Sequence, residues 1–147
     1  MTGSERTRRQ CGYELFPHGA DVGVRGFGPD RATAFAEAAR ALTAVVTDPD
    51  RVEPREPVAI HCEAEDDEML LIDWLDAVIY YMATLGMVFG RYEVEIRDHR
   101  LEATAWGEPV DPERHQPAVE PKAATLTELA VRHEPDGRWI AQCVVDV

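Results

Sequence analysis

The sequence predicts an α+β domain, with an antiparallel or mixed sheet of about six to seven strands covered on one face by two helices. Three observations carry this reading. Residues 31–46 and 69–85 repeat apolar side chains at three- and four-residue steps, whereas most of the remaining chain alternates apolar and polar residues with a period of two. The third observation is length. At 147 residues the chain fits one domain and buries about two-thirds of its unfolded surface in a single core.

Residues 1–10 read as a flexible N-terminal tail and residues 11–147 as the folded domain. Arg6, Arg8 and Arg9 are followed by no apolar segment, so the tail is not a secretory signal. The first hairpin comes next. Cys11, Tyr13 and Leu15 alternate with Gly12, Glu14 and Phe16, and Val22 and Val24 alternate with Gly23 and Arg25. Asp21 therefore stands at a strand-to-strand turn, His18-Gly19-Ala20-Asp21, whose glycine supplies the required backbone freedom. Taken alone, Asp21 and His18 are more economically read as turn formers than as a site.

Asp30 is placed to cap a helix over residues 31–46, in which Phe35, Ala38, Leu42 and Val45 form the buried stripe. Thr47-Asp48-Pro49-Asp50 ends it. Val58, Ile60, Cys62 and Ala64 mark a half-buried strand. Asp66, Asp67 and Glu68 then sit where helical N–H groups favour carboxylates, which makes them caps in preference to metal ligands. In the helix that follows, Leu70, Leu71, Trp74, Leu75, Val78, Tyr81 and Met82 make the apolar face too broad for a solvated helix. It is read as the central core helix, with Asp73 and Asp76 turned outward. Residues 88–96 and 101–106 form a hairpin, residues 107–121 a loop rich in proline and acid, and residues 123–131 and 139–147 two closing strands.

Composition narrows the function classes. Net charge is −13, from 28 acidic and 15 basic residues, which opposes direct binding to a phosphate backbone or an anionic membrane. Any nucleic acid would have to be held by a partner. Three cysteines, Cys11, Cys62 and Cys143, are odd in number and lack Cys-x-x-Cys spacing, which argues for a reducing, cytoplasmic setting. Each is expected to be a small buried hydrophobe. No phosphate loop, dinucleotide fingerprint, Gly-x-Ser-x-Gly elbow or His-Glu-x-x-His pair occurs, and the five histidines lack metal-ligand spacing. Lys122 is the only lysine, the other fourteen basic residues being arginine. An ammonium offers a compact, mobile point charge where arginine offers a rigid fork.

Polar chemistry thus remains at Asp21, at Lys122 and at Asp146, one residue from the end. His18-Gly19-Ala20-Asp21-Val22-Gly23, Leu70-Leu71-Ile72-Asp73-Trp74-Leu75, Gly107-Glu108-Pro109-Val110-Asp111 with His115, Lys122-Ala123-Ala124-Thr125 and Val145-Asp146-Val147 resemble, in order, the successive motifs of the archease family. The resemblance spans nearly the whole chain beyond the tail. At one place the chain departs from it: Leu126 and Thr127 stand where the family usually has an aromatic residue followed by histidine.

The resemblance implies a small α+β fold and an accessory role. Archeases promote guanylylation and multiple turnover of the GTP-dependent RNA-splicing ligase of tRNA splicing and RNA repair without being the ligase, so GTP and Mn²⁺ belong to that partner. Carried over, the family's functional aspartates fall on Asp21 and Asp146 and its lysine on Lys122. Its divalent metal, often assigned as calcium, is held near the two aspartates and the chain end, where Val147 would add a carboxylate. The chemistry of two neighbouring carboxylates, which repel unless a cation intervenes, is equally served by a hard divalent ion or by direct neutralisation from Lys122. Two other roles compete: a chaperone-like binding module for an RNA methyltransferase, also proposed for the family, and a stand-alone metal-dependent hydrolase, for which no general base is evident.

Overall fold

The computed structural model describes residues 10–147; the tail expected over residues 1–10 lies outside them except for Gln10. The first hairpin pairs β1 (Gly12–His18) with β2 (Asp21–Gly28), His18 standing opposite Asp21. The connection is Gly19-Ala20, and Gly19 takes a positive φ of 60°, which a residue with a side chain adopts reluctantly. Helix α1 (Arg31–Val46) follows, capped by Asp30, whose side chain accepts from the Thr33 N–H. After a 3₁₀ turn at Pro49–Arg51 and strand β3 (Glu56–Glu63) comes α2 (Asp67–Leu85). Asp66 caps α2 by accepting from the Met69 N–H, and Gly86 closes it with φ 64°. The acidic cluster at residues 66–68 is thus the start of a helix.

Strands β4 (Met87–Arg97) and β5 (Arg100–Pro109) form the second hairpin. A short helix α3 (Pro112–His115), strands β6 (Ala123–Ala124) and β7 (Ala130–His133), and strand β8 (Trp139–Asp146) complete the chain. The α+β class holds, but the strands divide over two antiparallel sheets. One has the path β1-β2-β8-β6, with β7 also on β8; the other runs β3-β5-β4. Alternation along a strand reports that one face is buried, not which sheet the strand joins, so the division is invisible in the pattern.

Both long helices touch both sheets: α1 packs on β1, β2, β8 and β4, and α2 on β3, β4, β5, β6 and β7. The core lies where they meet. Phe35, Leu42, Leu71, Trp74, Leu75 and Phe89 are fully buried there, and the Trp74 indole N–H donates to the Phe35 carbonyl at 2.9 Å, locking α2 to α1. Thr43 Oγ1 bonds both the Phe89 carbonyl and the Tyr92 hydroxyl at 2.7 Å, joining α1 to β4. Gly26 lets β2 lie directly on α1, since a Cβ there would collide with the Ala34 carbonyl and the Ala38 amide. No helix among the described residues is long and apolar enough to cross a membrane.

Two expectations are corrected. Cys11 is exposed at the start of β1, whereas Cys62 and Cys143 are buried; alternation marks a face, but at a sheet's edge strand neither face need be covered. The single strand expected over residues 123–131 is two short ones. Between them Glu128 takes a left-handed φ of 56°, the Thr127 carbonyl accepts from the Val144 N–H, and the Thr125 hydroxyl donates to the Val144 carbonyl. The turn thus uses β8 hydrogen bonds that a longer β6 would have taken.

Candidate functional site

Strand register assembles the rim of the five-stranded sheet. In β2 and β8 Val22 pairs with Val145 and Gly23 with Val144, so one further step sets Asp21 across from Asp146. On the far side of β8, Ala123 pairs with Asp146; on the far side of β2, His18 pairs with Asp21. His18, Asp21, Asp146 and Ala123 therefore form one row across four strands, and cross-strand partners in a row share a face. Two carboxylates separated by 124 intervening residues in the chain become neighbours.

Further contacts tie the row to its surroundings. The Val147 N–H donates to Asp21 Oδ1 at 3.3 Å, crossing from the end of β8 to the start of β2. The Lys122 N–H donates to the Asp146 carbonyl at 2.8 Å, fixing the lysine's backbone one residue outside β6. Asp21 and Val147 are half-buried, while His18, Lys122 and Asp146 are exposed. Among the described residues the Lys122 ammonium forms no ion pair within 4.0 Å, so the direct neutralisation considered from sequence is not the arrangement seen.

No group of three or more His, Cys, Asp or Glu side chains is gathered among the described residues in a way that could hold a metal. Asp21 and Asp146 nevertheless stand across from one another at the rim, beside Val147. Carboxylate oxygens are hard donors of the kind Ca²⁺ and Mg²⁺ accept, and among the described residues only Oδ1 of Asp21 takes a hydrogen bond.

A second polar cluster lies in the segment that leads to Lys122. Glu108, at the end of β5, is 1% exposed and His115 is 2% exposed. Glu108 Oε2 contacts His115 Nε2 at 3.0 Å and accepts from the Glu53 N–H at 2.8 Å, and its Oε1 accepts from Arg114 at 2.6 Å. His115 Nδ1 accepts from the Asp111 N–H, so the proton of the ring sits on Nε2 and points at the carboxylate. Burial alone would raise the Glu108 pKa, but the bonds from Arg114, Glu53 and His115 outweigh it and hold the carboxyl at about 2. The His115 carbonyl accepts from the Thr47 hydroxyl at 2.5 Å and the Ala118 N–H donates to the Val46 carbonyl, pinning the loop to the end of α1.

The outward orientation expected of Asp76 is corrected by the structure. Asp76 is half-buried, and its Oδ1 accepts from the Ala124 N–H of β6 at 2.8 Å. The sequence does carry a signal for this: Asp76 lies four residues after Ile72 and three before Ile79, both buried, and therefore on the apolar stripe of α2. Asp73 does face outward. Glu108 carries no such signal, because a carboxylate beside prolines and other acids reads as surface. Thr127, where the resemblance leads one to expect an imidazole, is exposed.

The comparisons with known proteins agree with the resemblance. Residues 13–147 match the family described as "Archease protein family (MTH1598/TM1083)". Proteins named "Protein archease" are similar to this chain: that of Pyrococcus abyssi is 38% identical over 139 residues, covering 92% of this chain and 98% of the relative. That of Thermococcus gammatolerans is 40% identical with the same coverage. The solution structure of Methanobacterium thermoautotrophicum protein 1598 superposes with a TM-score of 0.73 at 32% identity, covering 92% of this chain and 99% of that one. A family match over all but the first residues, relatives covered almost end to end and a shared fold establish one conclusion: the chain belongs to the archease family.

Proposed function

We propose that this protein is a cytoplasmic accessory factor of a GTP-dependent RNA-splicing ligase, promoting its guanylylation and multiple turnover in tRNA splicing or RNA repair. The observation that carries the proposal is the row at the sheet rim, which sets Asp21 across from Asp146 with the backbone of Lys122 bonded to the Asp146 carbonyl. Family membership supports the same role. The acidic surface fits a partner that must be basic where it holds RNA, and complementary charge speeds such an encounter.

In this reading Lys122 is the group presented to the ligase's guanylylation centre, its ammonium unpaired among the described residues. Asp21, Asp146 and the terminal carboxylate of Val147 would hold a divalent cation, calcium as the family resemblance implies, and that cation would neutralise the converging carboxylates. GTP and Mn²⁺ are the ligase's own.

The test is multiple-turnover RNA ligation by the ligase of the same organism, with GTP and Mn²⁺, with and without substoichiometric amounts of this protein. Stimulation that disappears with Lys122→Arg or Asp146→Ala is expected. A ligase that turns over equally well without the protein would overturn the proposal.

A further inference from the structure

Lys122 is delivered to the rim by a very short strand, and what holds that strand on its outer side is a helix side chain. Strand β6 has only two residues, Ala123 and Ala124, and ends the β1-β2-β8-β6 path. Toward β8 it is held by pairs with Asp146 and Val145 and by the Lys122 N–H to the Asp146 carbonyl. The Ala124 N–H bonds no strand; it donates to Asp76 Oδ1 of α2 at 2.8 Å. Ala124 is 9% exposed, so water does not readily replace that acceptor.

We infer that Asp76 is a positioning residue for Lys122: by accepting the Ala124 N–H it pins β6 against α2 and fixes where the chain's one lysine stands relative to Asp146. The inference rests on the accessory function proposed above but is tested separately from it. Among the described residues Asp76 shares no hydrogen bond with Asp21 or Asp146, so its removal should displace the lysine and leave the aspartates in register. Misplacement of a working group by about an ångström commonly costs up to a hundredfold in rate.

Because Lys122 is the only lysine, incorporated carbon-13-labelled lysine gives a single set of side-chain NMR signals. Asp76→Ala should shift those signals and lower ligase stimulation by roughly tenfold to a hundredfold. Asp76→Asn, whose amide oxygen accepts the same bond, should restore both to near the wild-type values. A residue that only stabilises the fold would lower the melting temperature without moving the lysine signals of the folded protein. Unmoved signals in Asp76→Ala, or signals shifted equally in Asp76→Asn, would overturn the inference. If Asp76→Ala does not fold, amide hydrogen exchange of the wild-type protein decides: protection at Ala124 that Asp76→Asn retains supports it, and an unprotected Ala124 N–H overturns it. Stimulation insensitive to Lys122→Arg would instead overturn the accessory function while leaving the NMR result intact.

Discussion

The rim and the Glu108 cluster are both built from charged residues, and they could hardly be more differently satisfied. At the rim, Asp21 receives one long hydrogen bond, from the Val147 N–H at 3.3 Å, and Lys122 has no ion pair among the described residues. In the cluster, the Glu108 carboxylate receives bonds from a backbone amide, a guanidinium and an imidazole while being 1% exposed. A buried charge persists in a fold only when its neighbours satisfy it fully, so the cluster reads as structure. Charges left side by side with capacity to spare are available to something else. Under the proposed function the rim is the part that acts on a partner, while the cluster holds the segment that leads to Lys122.

Rim substitutions should give the largest effects on activity and the smallest on stability. Lys122→Arg is expected to abolish ligase stimulation with a melting temperature unchanged within about 1–2 °C, as for most exposed substitutions. Retained stimulation would erase the distinction between the two regions.

Glu108→Ala should do the reverse. It leaves His115 and the Glu53 N–H without their buried partner, and about 3 kcal/mol of stability should be lost. For a domain of this size that lowers the melting temperature by about 10 °C. Denaturant or thermal unfolding measures this directly, and a change within about 1–2 °C would make the cluster dispensable.

Acid sharpens the comparison further. The folded Glu108 carboxyl titrates at about 2, below its ordinary value of 4.5, so its contribution is fully present above pH 4.5 and fades as pH falls toward 2. The stability gap between wild type and Glu108→Ala should therefore narrow over that window. A gap that stays constant would mean that the carboxylate's charge is not what stabilises the cluster.

Divalent ions should separate the regions in another way. Calcium at about 100 times its dissociation constant should stabilise the wild-type protein by about 2.7 kcal/mol. Asp21→Ala and Asp146→Ala should lose this increment and Glu108→Ala should keep it. Equal calcium dependence in all four proteins would remove the ion from the rim.

The smallest effect concerns the thiols. Burial raises the pKa of Cys62 to about 11, with a lesser contribution from Asp73, and that of Cys143 to about 12, whereas Cys11 is exposed. One thiol should react quickly with a maleimide in the native protein and in the rim variants. A fast second thiol in Asp146→Ala would show that the rim also holds β8 closed.

What is legible in the sequence follows from how local each signal is. Helix α1, with Asp30 and the stripe of Phe35, Ala38 and Leu42, and helix α2 after its acidic cap can be placed to within two residues, because capping and 3.6-residue periodicity act over a few positions. The split into two sheets cannot be read, since pairing between β2 and β8 joins residues more than a hundred positions apart. Asp21, Lys122 and Asp146 stand out one by one and by resemblance; that the two aspartates lie across from one another follows only from the register. Asp76 reads as outward although its place on the apolar stripe is visible, because a carboxylate there is usually a solvated exception. The Glu108 cluster is hidden by its acidic, proline-rich setting, and the exposure of Cys11 by an alternation that does not say whether its strand lies at an edge.

The most direct test of the division of roles pairs Lys122→Arg with Glu108→Ala, each assayed for multiple-turnover ligation at a temperature where both are folded and each melted in the same buffer. The expected result is crossed: Lys122→Arg loses stimulation and keeps its melting temperature, while Glu108→Ala keeps stimulation per folded molecule and melts about 10 °C lower. Parallel losses of activity and stability in both proteins would contradict it, and would make the rim charges part of the fold.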